Sequence, residues 1–281
     1  MRRQFRPCAR EICNLGVEHI LYIDRLAEIK QMILDRGSLS VAELSQYFEV
    51  SGETIRRDLE KISSMDARIK KIHGGVYYEN PESDMPYSSR KISVVEGKRK
   101  IAEACVQFID DGDVIILDSS TTALSLADRL VAAEKRITVI TNGLNIMECI
   151  KNARNMELIA IGGRYSEGSM AFLGNRAIES MKQLQADKAF VSCSGLTAEH
   201  GVTDSNEDMA CMRRAMLQQA NIRYLAVDSN KVGRTKLHKI VDFDYLDAVF
   251  TNNPMPQKEV DAITQKGSRV YTDVKEAPGE K

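Results

Sequence analysis

The chain has 281 residues, a length that corresponds to about two domains. Hydrophobic residues make up 43% and charged residues 28% of the chain, which is typical of a folded globular protein and excludes wholesale disorder. The formal net charge of −1 excludes a uniformly basic nucleic-acid coat, although a sum over two domains can hide a local basic patch.

Neither a membrane span nor a disulfide framework is expected. Apolar runs such as Val114–Leu117 fall far short of the roughly 18 residues that a transmembrane helix needs. The N-terminal arginines are not followed by an apolar stretch of signal-peptide length. The six cysteines are scattered and never spaced CxxC, which favours reduced thiols in a cytoplasmic protein.

The N-terminal third of the chain begins without a regular pattern, and we expect residues 1–20 to form a disordered arm. Helical periodicity begins near Leu21, and Gly37 is expected to end the first helix. Its apolar stripe is formed by Ile23, Leu26, Ile29 and Ile33.

Two further helices follow after short joints. Ser40 and Glu43 have the spacing of a capping box at the start of the second helix. Ser51 is the expected N-cap of the third helix, whose buried face is predicted at Ile55, Leu59 and Ile62. Three helices joined so closely are typical of a helix-turn-helix domain, which we place at residues 21–78.

A short β-hairpin is predicted after the third helix, where Ile69, Ile72 and Val76 flank two lysines and a glycine turn. This hairpin would be the wing of a winged helix-turn-helix. The segment that follows contains several Pro, Asn and Ser residues, and residues 79–92 are therefore predicted to be a linker.

Basic side chains are concentrated on the third helix and the hairpin. Six basic and three acidic residues lie between Thr54 and His73, which gives this window a charge of +3. Arginine can bind phosphate or a guanine edge through two nitrogens. A solvated helix face is the alternative, but the helix-turn-helix pattern favours double-stranded DNA. The predicted DNA contacts are Ser51, Thr54, Arg56, Arg57, Lys61, Lys70, Lys71 and His73.

These residues carry a family resemblance. The run Val-Ser-Gly-Glu-Thr-Ile-Arg-Arg-Asp-Leu at 50–59, followed by His73-Gly74-Gly75, resembles the signature of the DeoR family of bacterial transcriptional regulators. The similarity extends from about Leu21 to Asp273, and it places the helix-turn-helix proper at Leu39 to Asp58. It implies a winged helix-turn-helix joined to a sugar-phosphate-sensing α/β domain. Asp66-Ala67 stands where the family usually has glycine, so a different wing entry is expected.

Residues 93–275 alternate helical patterns with short apolar strands, which predicts a mostly parallel sheet covered by helices on both faces. Residues 276–281 are expected to be a tail. The predicted strands are Val114–Leu117, Thr138–Thr141, Leu158–Ile161, Lys188–Cys193, Tyr224–Val227 and Ala248–Thr251. By the family resemblance, this domain is similar to isomerases of the ribose-phosphate type. Ligands of such folds bind at the carboxyl ends of the strands.

Polar residues follow several of these strands. The run 118–122 offers hydroxyls and backbone N–H groups between a strand and a helix start, an arrangement that captures anions, although simple helix capping is the alternative. Ser120 stands where the family usually has glycine, and Lys231 could equally be a surface lysine. The predicted effector contacts are Asp118, Ser119, Ser120, Thr121, Thr122, Thr141, Asn142, Gly162, Gly163, Gly195 and Lys231.

Together these patterns predict a sequence-specific transcriptional regulator. The family resemblance implies a repressor of a carbohydrate uptake or catabolism operon, and we expect a phosphorylated sugar to release it from DNA. One alternative is a sugar-phosphate isomerase-like enzyme with an appended DNA-binding module, using Asp118 or Asp187 as base. The other is a ligand-activated activator. No glycine run follows Lys231, which favours a sensor over an enzyme.

The remaining expectations concern assembly and composition. We expect a homo-oligomer, a dimer or tetramer, because paired recognition helices match operator half-sites. We expect no catalytic residue, no cofactor and no membrane association. The loop residues His200, Asp204, Glu207 and Asp208 are too loosely spaced to predict a metal site.

Overall fold

The computed structural model describes residues 22–36, 38–66, 68–72, 74–78, 87–92 and 94–272. The expected N-terminal arm and C-terminal tail lie outside the described residues, as do the predicted helix terminator Gly37 and the predicted DNA contact His73.

The helices of the described residues are α1 Tyr22–Arg36, α2 Val41–Phe48, α3 Gly52–Met65, α4 Tyr87–Ile92, α5 Val95–Cys105, α6 Thr121–Ala132, α7 Leu144–Ile150, α8 Asn175–Met181, α9 Glu207–Gln218 and α10 Gln257–Gln265. The strands are β1 Ser38–Ser40, β2 Ile69–Ile72, β3 Gly75–Tyr78, β4 Val114–Leu117, β5 Ile137–Thr141, β6 Met156–Ala160, β7 Arg164–Ser166, β8 Ala171–Leu173, β9 Ala186–Val191, β10 Gly195–Thr197, β11 Gly201–Asp204, β12 Ala220–Ala226, β13 His238–Val241, β14 Ala248–Thr251 and β15 Arg269–Thr272.

Helices α1 to α3 pack around one small apolar core together with the sheet β1-β3-β2. The predicted buried face of α3 is confirmed at Ile55, Leu59 and Ile62. Strand β1 was not predicted; it pairs antiparallel with β3 and turns the wing hairpin into a three-stranded sheet. Ile23 was wrongly assigned to the buried stripe and is 76% exposed, because the core ends at the turn that carries the partly buried Leu26.

Short-range hydrogen bonds fix the joints of this unit. The capping box is confirmed: the Ser40 N–H donates to Glu43 Oε2 at 2.8 Å, and the Glu43 N–H donates to Ser40 Oγ at 3.1 Å. Ser51 caps α3 by accepting a hydrogen bond from the Thr54 N–H at 3.1 Å. The sequence signals for both helix starts therefore correspond to real N-caps.

A contact between Asp66 and Arg68 lies at the entry to the wing. The backbone N–H of Arg68 donates to Asp66 Oδ1 at 3.1 Å, and the Arg68 guanidinium also binds this carboxylate and lies 5.1 Å from the Tyr78 ring centroid. The side-chain hydrogen bond from Arg68 lowers the pKa of Asp66 to about 2. A carboxylate–guanidinium contact thus holds the entry to the wing.

An ion pair that was not predicted joins α1 to α3. Arg25 Nε lies 2.7 Å from Asp58 Oδ2, and the Asp58 side chain is buried. Because Asp58 lies on α3 between the arginines predicted to contact DNA and the buried Leu59, the pair fixes the rotation of α3 relative to α1.

The segment predicted as a linker contains helix α4. Residues 79–86 lie outside the described residues, but Tyr87 begins a helical turn and is only 5% exposed. Helix α4 contacts β1 and β3 of the N-terminal unit and also α6 of the following domain. This part of the segment is therefore an ordered connection between the two units.

The second domain is built on a seven-stranded parallel sheet in the order β15-β14-β12-β9-β4-β5-β6. The six predicted strands are present with some ends shifted by a few residues, and β15 adds a seventh at one edge. One face packs against α5, α6 and α7, and the other packs against α8, α9 and α10. The predicted mostly parallel α/β architecture is confirmed.

Two small antiparallel sheets were not predicted. Strands β7 and β8 form one of them, and β10, β11 and β13 form the other. They follow the carboxyl ends of β6, β9 and β12, so they surround the edge at which ligands are expected. Among the described residues, no helix is both long and apolar enough to cross a membrane.

Replacing Arg25 with Met is expected to lower the free energy of unfolding of the N-terminal unit by about 2–3 kcal/mol, because the buried Asp58 carboxylate loses its partner. Urea unfolding of the full chain, followed by circular dichroism, measures this. The double variant Arg25→Met with Asp58→Leu should recover part of the loss. An equal or greater loss in the double variant would contradict this account of the pair.

Candidate functional site

The carboxyl ends of the parallel strands bring the predicted effector residues to one edge of the sheet. The loops after β4 and β5 are in direct contact: a Cβ on Gly143 would lie 2.9 Å from the Ser119 Cα, so only glycine fits. Thr141 Oγ1 accepts a hydrogen bond from the Gly143 N–H at 3.1 Å. The sequence prediction that these two loops converge is therefore met by the structure.

The start of α6 is the densest group of donors in this region. Ser120 is its N-cap, and its Oγ accepts from the Ala123 N–H at 3.0 Å. The backbone N–H groups of Thr121 and Thr122 belong to the first turn, which has no acceptors within the helix. The Ser120 side chain therefore serves as a helix cap. The two threonines bring N–H groups and hydroxyls to the sheet edge.

Asp118 has a different role from the one predicted. Its carboxylate accepts from the Ser120 N–H at 3.1 Å and the Ser192 N–H at 3.0 Å, and Arg213 Nε binds it at 2.7 Å. Burial by itself would raise the pKa of Asp118, but the charge of Arg213 and these hydrogen bonds hold it below its ordinary value. The carboxylate faces into the protein, where it positions the loop.

Arg213 on α9 is the residue that sequence reasoning missed. It is 3% exposed, and its Nη1 binds Asp204 Oδ2 while its Nε binds Asp118. Asp204 also accepts from the Ser194 hydroxyl at 3.2 Å. The available signal was its place in the helical repeat, since Arg213 lies four residues after Met209 and three before Met216, on the buried face of α9. We call Asp118, Arg213 and Asp204 the buried triad.

Three buried polar atoms at the carboxyl ends of the strands have no partner among the described residues: Asn142 Oδ1, Ser192 Oγ and Thr251 Oγ1. The Asn142 amide is held in place because its Nδ2 donates to the Phe172 carbonyl at 2.9 Å. Buried polar atoms usually find a partner, so these atoms are candidate contacts for a molecule that binds at this edge.

The predicted glycines divide into two groups. Gly162 is exposed, and a Cβ there would meet nothing within 4 Å. Cβ atoms on Gly163 and Gly195 would lie 2.8 Å from the Leu173 carbonyl oxygen and 2.4 Å from the Arg234 carbonyl oxygen. Gly163 and Gly195 are therefore required for close backbone packing around the site.

Two lysines approach the same edge from the β12 side. Lys231 Nζ donates to the Cys193 carbonyl at 2.7 Å and lies 3.9 Å from Asp228 Oδ2. Lys98 on α5 was not predicted and is 3% exposed. Burial lowers the pKa of Lys98 to about 8, the charges of Lys231 and Arg90 act in the same direction, and Asp228 opposes them. The lysines thus supply cationic charge in a protected environment.

The predicted DNA contacts lie where the sequence placed them, on α3 and β2. Arg57 has 77% of its side chain exposed, and Arg56 is also exposed. Both approach Glu53, at 3.7 and 3.3 Å, in exposed pairs that contribute little and can be exchanged for phosphate. Lys61 is exposed, and Lys71 binds Glu60 at 2.6 Å. The other predicted DNA contacts that the structure describes are Ser51, Thr54 and Lys70.

Neither candidate for a catalytic base is free at the sheet edge. Asp118 is held in the buried triad. Asp187 accepts the Val114 N–H at 2.8 Å, at the amino-terminal ends of β4 and β9, which is the opposite side of the sheet. Among the described residues, no three His, Cys, Asp or Glu side chains are grouped as a metal site would need.

Comparison with known proteins agrees with this division into two domains. A family model described as the DeoR-like helix-turn-helix domain matches residues 25–82, and one described as the DeoR C terminal sensor domain matches residues 93–253. The HTH-type transcriptional regulator IolR of Bacillus subtilis is 34% identical over 82% of this chain and 91% of its own. The putative aga operon transcriptional repressor of Escherichia coli O157:H7 is 29% identical over 88% of this chain and 92% of its own.

Among solved structures, a ribose 5-phosphate isomerase from Methanocaldococcus jannaschii is a distant match. The match has 17% identity and a TM-score of 0.37, and it covers 50% of this chain and 55% of that one. An overlap of this extent carries no argument about activity.

Replacing Arg213 with Met is expected to lower the free energy of unfolding by about 3–5 kcal/mol at pH 8, because two buried carboxylates lose their shared cation. Without it, burial raises the pKa of the Asp118 carboxyl above that of the unfolded chain. The free energy of unfolding of the variant should then rise as the pH falls from 8 to 5.5. That of the wild type should change little over this range, because its Asp118 pKa is low.

Urea unfolding at the two pH values tests this effect. Arg214→Met, on the same helix but bound only to backbone carbonyls at 2.9 Å or less, is the control and should show no such pH dependence. A pH-independent loss in the Arg213→Met variant would show that Arg213 does not hold the Asp118 carboxylate ionised.

Proposed function

The chain belongs to the DeoR family of transcriptional regulators, and we propose that it represses a carbohydrate operon and leaves its operator when a phosphorylated sugar binds at the carboxyl edge of the sheet. The names of its relatives support this, since one of them is a putative repressor of the aga operon. An isomerase with an appended DNA-binding module is set aside, because the family consists of regulators and neither proposed base is available.

The DNA-binding half of the proposal rests on the exposed face of α3. Arg56 and Arg57 project from the first half of the helix, and Ser51 caps its N-terminus. A helix presented in this way can enter the major groove with its N-terminal residues at the base edges. The Arg25–Asp58 pair holds the opposite side of α3 in the domain, so the helix offers the arginines in one orientation.

The effector half rests on one observation: a helix start and a lysine lie on the two sides of the end of β9. The loop after β4 contacts the loop after β9 through the Ser192 N–H, and Lys231 binds the Cys193 carbonyl in that same loop. Neighbouring strands are about 4.8 Å apart, so the ends of β4 and β12, on the two sides of β9, are about 10 Å apart. A phosphorylated sugar of a few carbons spans such a distance, with its phosphate at either end.

Assembly and location are also part of the proposal. Paired recognition helices at half-site spacing require a homo-oligomer, a dimer or a tetramer. The operator lies on cytoplasmic DNA, so the repressor acts in the cytoplasm.

Replacing Arg57 with Ala is expected to weaken operator binding about tenfold and to reduce the slope of log affinity against log salt by about 0.9, the value for one lost phosphate contact. The DNA is a fragment that the wild-type protein selects from a random-sequence pool, and affinity is measured at several salt concentrations. Arg136→Ala, an exposed arginine of the second domain, is the control. Unchanged affinity and slope for Arg57→Ala would refute the assignment of α3.

Replacing Thr121 and Thr122 together with Val is expected to leave operator binding intact and to abolish the response to phosphorylated sugars, because two hydroxyl donors are lost at the α6 start. A panel of pentose and hexose phosphates is screened first by the rise in melting temperature of the wild-type protein. The same substitution at Thr138, at the amino-terminal end of β5, is the control. A normal response of the double variant would remove this loop from the proposed site.

A further inference from the structure

Asn142 is held in one orientation by the hairpin that β7 and β8 form. Its Nδ2 donates a hydrogen bond to the Phe172 carbonyl at 2.9 Å, and the Phe172 N–H donates to the Asn142 carbonyl at 2.9 Å. Two residues further on, the Leu144 N–H donates to the Met170 carbonyl at 2.9 Å. The loop after β5 is therefore bound to the hairpin on both sides of Gly143, and the Asn142 side chain is fixed with it.

The bond to Phe172 decides which end of the Asn142 amide is available. A side-chain amide has a nitrogen that donates and an oxygen that only accepts. Turning the amide over would bring its oxygen against the Phe172 carbonyl oxygen, and two acceptors cannot bond to each other. Oδ1 is therefore a fixed acceptor. The residue is 1% exposed, and Oδ1 has no partner among the described residues. A buried acceptor in this state needs a donor.

The groups next to this acceptor are donors. Strand pairing sets Thr141 opposite Leu117, so Asn142 lies beside Asp118, where the loop to α6 begins. The first turn of α6 offers N–H groups and hydroxyls, and Lys231 offers an ammonium further along the same edge. A phosphate carries acceptor oxygens, so it suits these donors and does not suit Oδ1. A molecule that fills both positions must therefore carry a hydrogen-bond donor apart from its phosphate.

A hydroxyl group is the donor that a phosphorylated sugar carries. A carboxylate or a carbonyl in its place would bring a second acceptor oxygen against Oδ1 and leave both without a hydrogen bond. A site built to bind a hydroxyl also rejects an analogue that lacks it, because the buried protein group then stays unpaired. The fixed amide of Asn142 thus favours ligands that have a hydroxyl group at this point.

We propose that Asn142 selects the effector through a hydroxyl group: Oδ1 accepts a hydrogen bond from one hydroxyl of a sugar or polyol phosphate whose phosphate is bound by the donors of the same edge. The effector class is thereby narrowed to hydroxylated phosphate esters, and phosphorylated molecules with a carboxylate at this point are rejected. This inference rests on the proposed effector site.

The test measures dissociation constants of the full chain by calorimetry. The ligand is the pentose or hexose phosphate that most raises the wild-type melting temperature, and its hydroxyl groups are replaced by fluorine one at a time. Fluorine is close to a hydroxyl group in size but has no proton to donate. The proteins compared are the wild type, Asn142→Ala and Asn142→Leu.

Asn155→Ala is the matched control. The Asn155 amide also donates to a backbone carbonyl, that of Glu134 at 3.3 Å, but it lies at the amino-terminal end of β6, on the opposite side of the sheet from the effector edge. This variant loses a comparable bond without touching the proposed site, so it should keep the wild-type preference for the parent sugar phosphate.

We expect one fluorinated analogue to bind the wild type about tenfold or more weakly than the parent sugar phosphate. In both Asn142 variants the ratio of the two dissociation constants for that analogue should fall close to unity. The ratio is measured because loss of the bond to the Phe172 carbonyl weakens the binding of parent and analogue alike. Asn142→Leu gives the same measurement if Asn142→Ala does not fold.

Two results would overturn the inference while leaving the effector site in place. In the first, no fluorinated analogue binds the wild type more weakly than the parent, as expected if Oδ1 binds only water. In the second, the ratio for every weakened analogue keeps its wild-type value in the Asn142 variants, so that another residue binds the hydroxyl. A wild-type protein that binds none of the sugar phosphates would instead overturn the effector site, and the inference with it.

Discussion

The arrangement of the sensor domain depends on one guanidinium, that of Arg213. It lies between two buried carboxylates, and each carboxylate also accepts hydrogen bonds from the loops that form the ligand edge. An arginine is suited to this position because it stays ionised and offers several fixed donors to two acceptors at once. Buried ions are costly, and three of them persist here because each has a charged partner and hydrogen bonds.

The buried triad holds the loops of the ligand edge in place. Through Asp118 it holds the N-cap Ser120 and the Ser192 N–H, so the start of α6 and the end of β9 keep a fixed relation. A sensor needs such a relation if a small phosphorylated molecule is to be recognised by N–H groups on one side and a lysine on the other. The triad does not have to touch the ligand in order to determine what can bind.

The winged domain shows the same principle on a smaller scale. A half-buried pair, Arg25 with Asp58, fixes α3, while Arg56 and Arg57 on its outer side make only weak, exposed contacts. Charges that position the fold are buried and paired, and the charges that we propose to contact DNA are exposed and exchangeable. The near-neutral net charge of the chain adds up the buried and the exposed charges, and it therefore conceals the basic face of α3 and the wing.

Residue order alone determined the helix starts at Ser40 and Ser51, the buried face of α3 and the parallel strands, because caps and apolar periodicity act over a few residues. It also grouped most of the ligand-edge residues, since parallel strands necessarily bring their carboxyl ends together. It could not distinguish a carboxylate that faces a ligand from one that faces an arginine 95 positions away, as Asp118 does. Nor could it show that Lys98 reaches the sheet edge and binds α4, because such contacts arise only when distant segments pack and water is excluded. Local chemistry thus fixed what each segment is, and tertiary packing decided which charged groups are structural and which are available to bind.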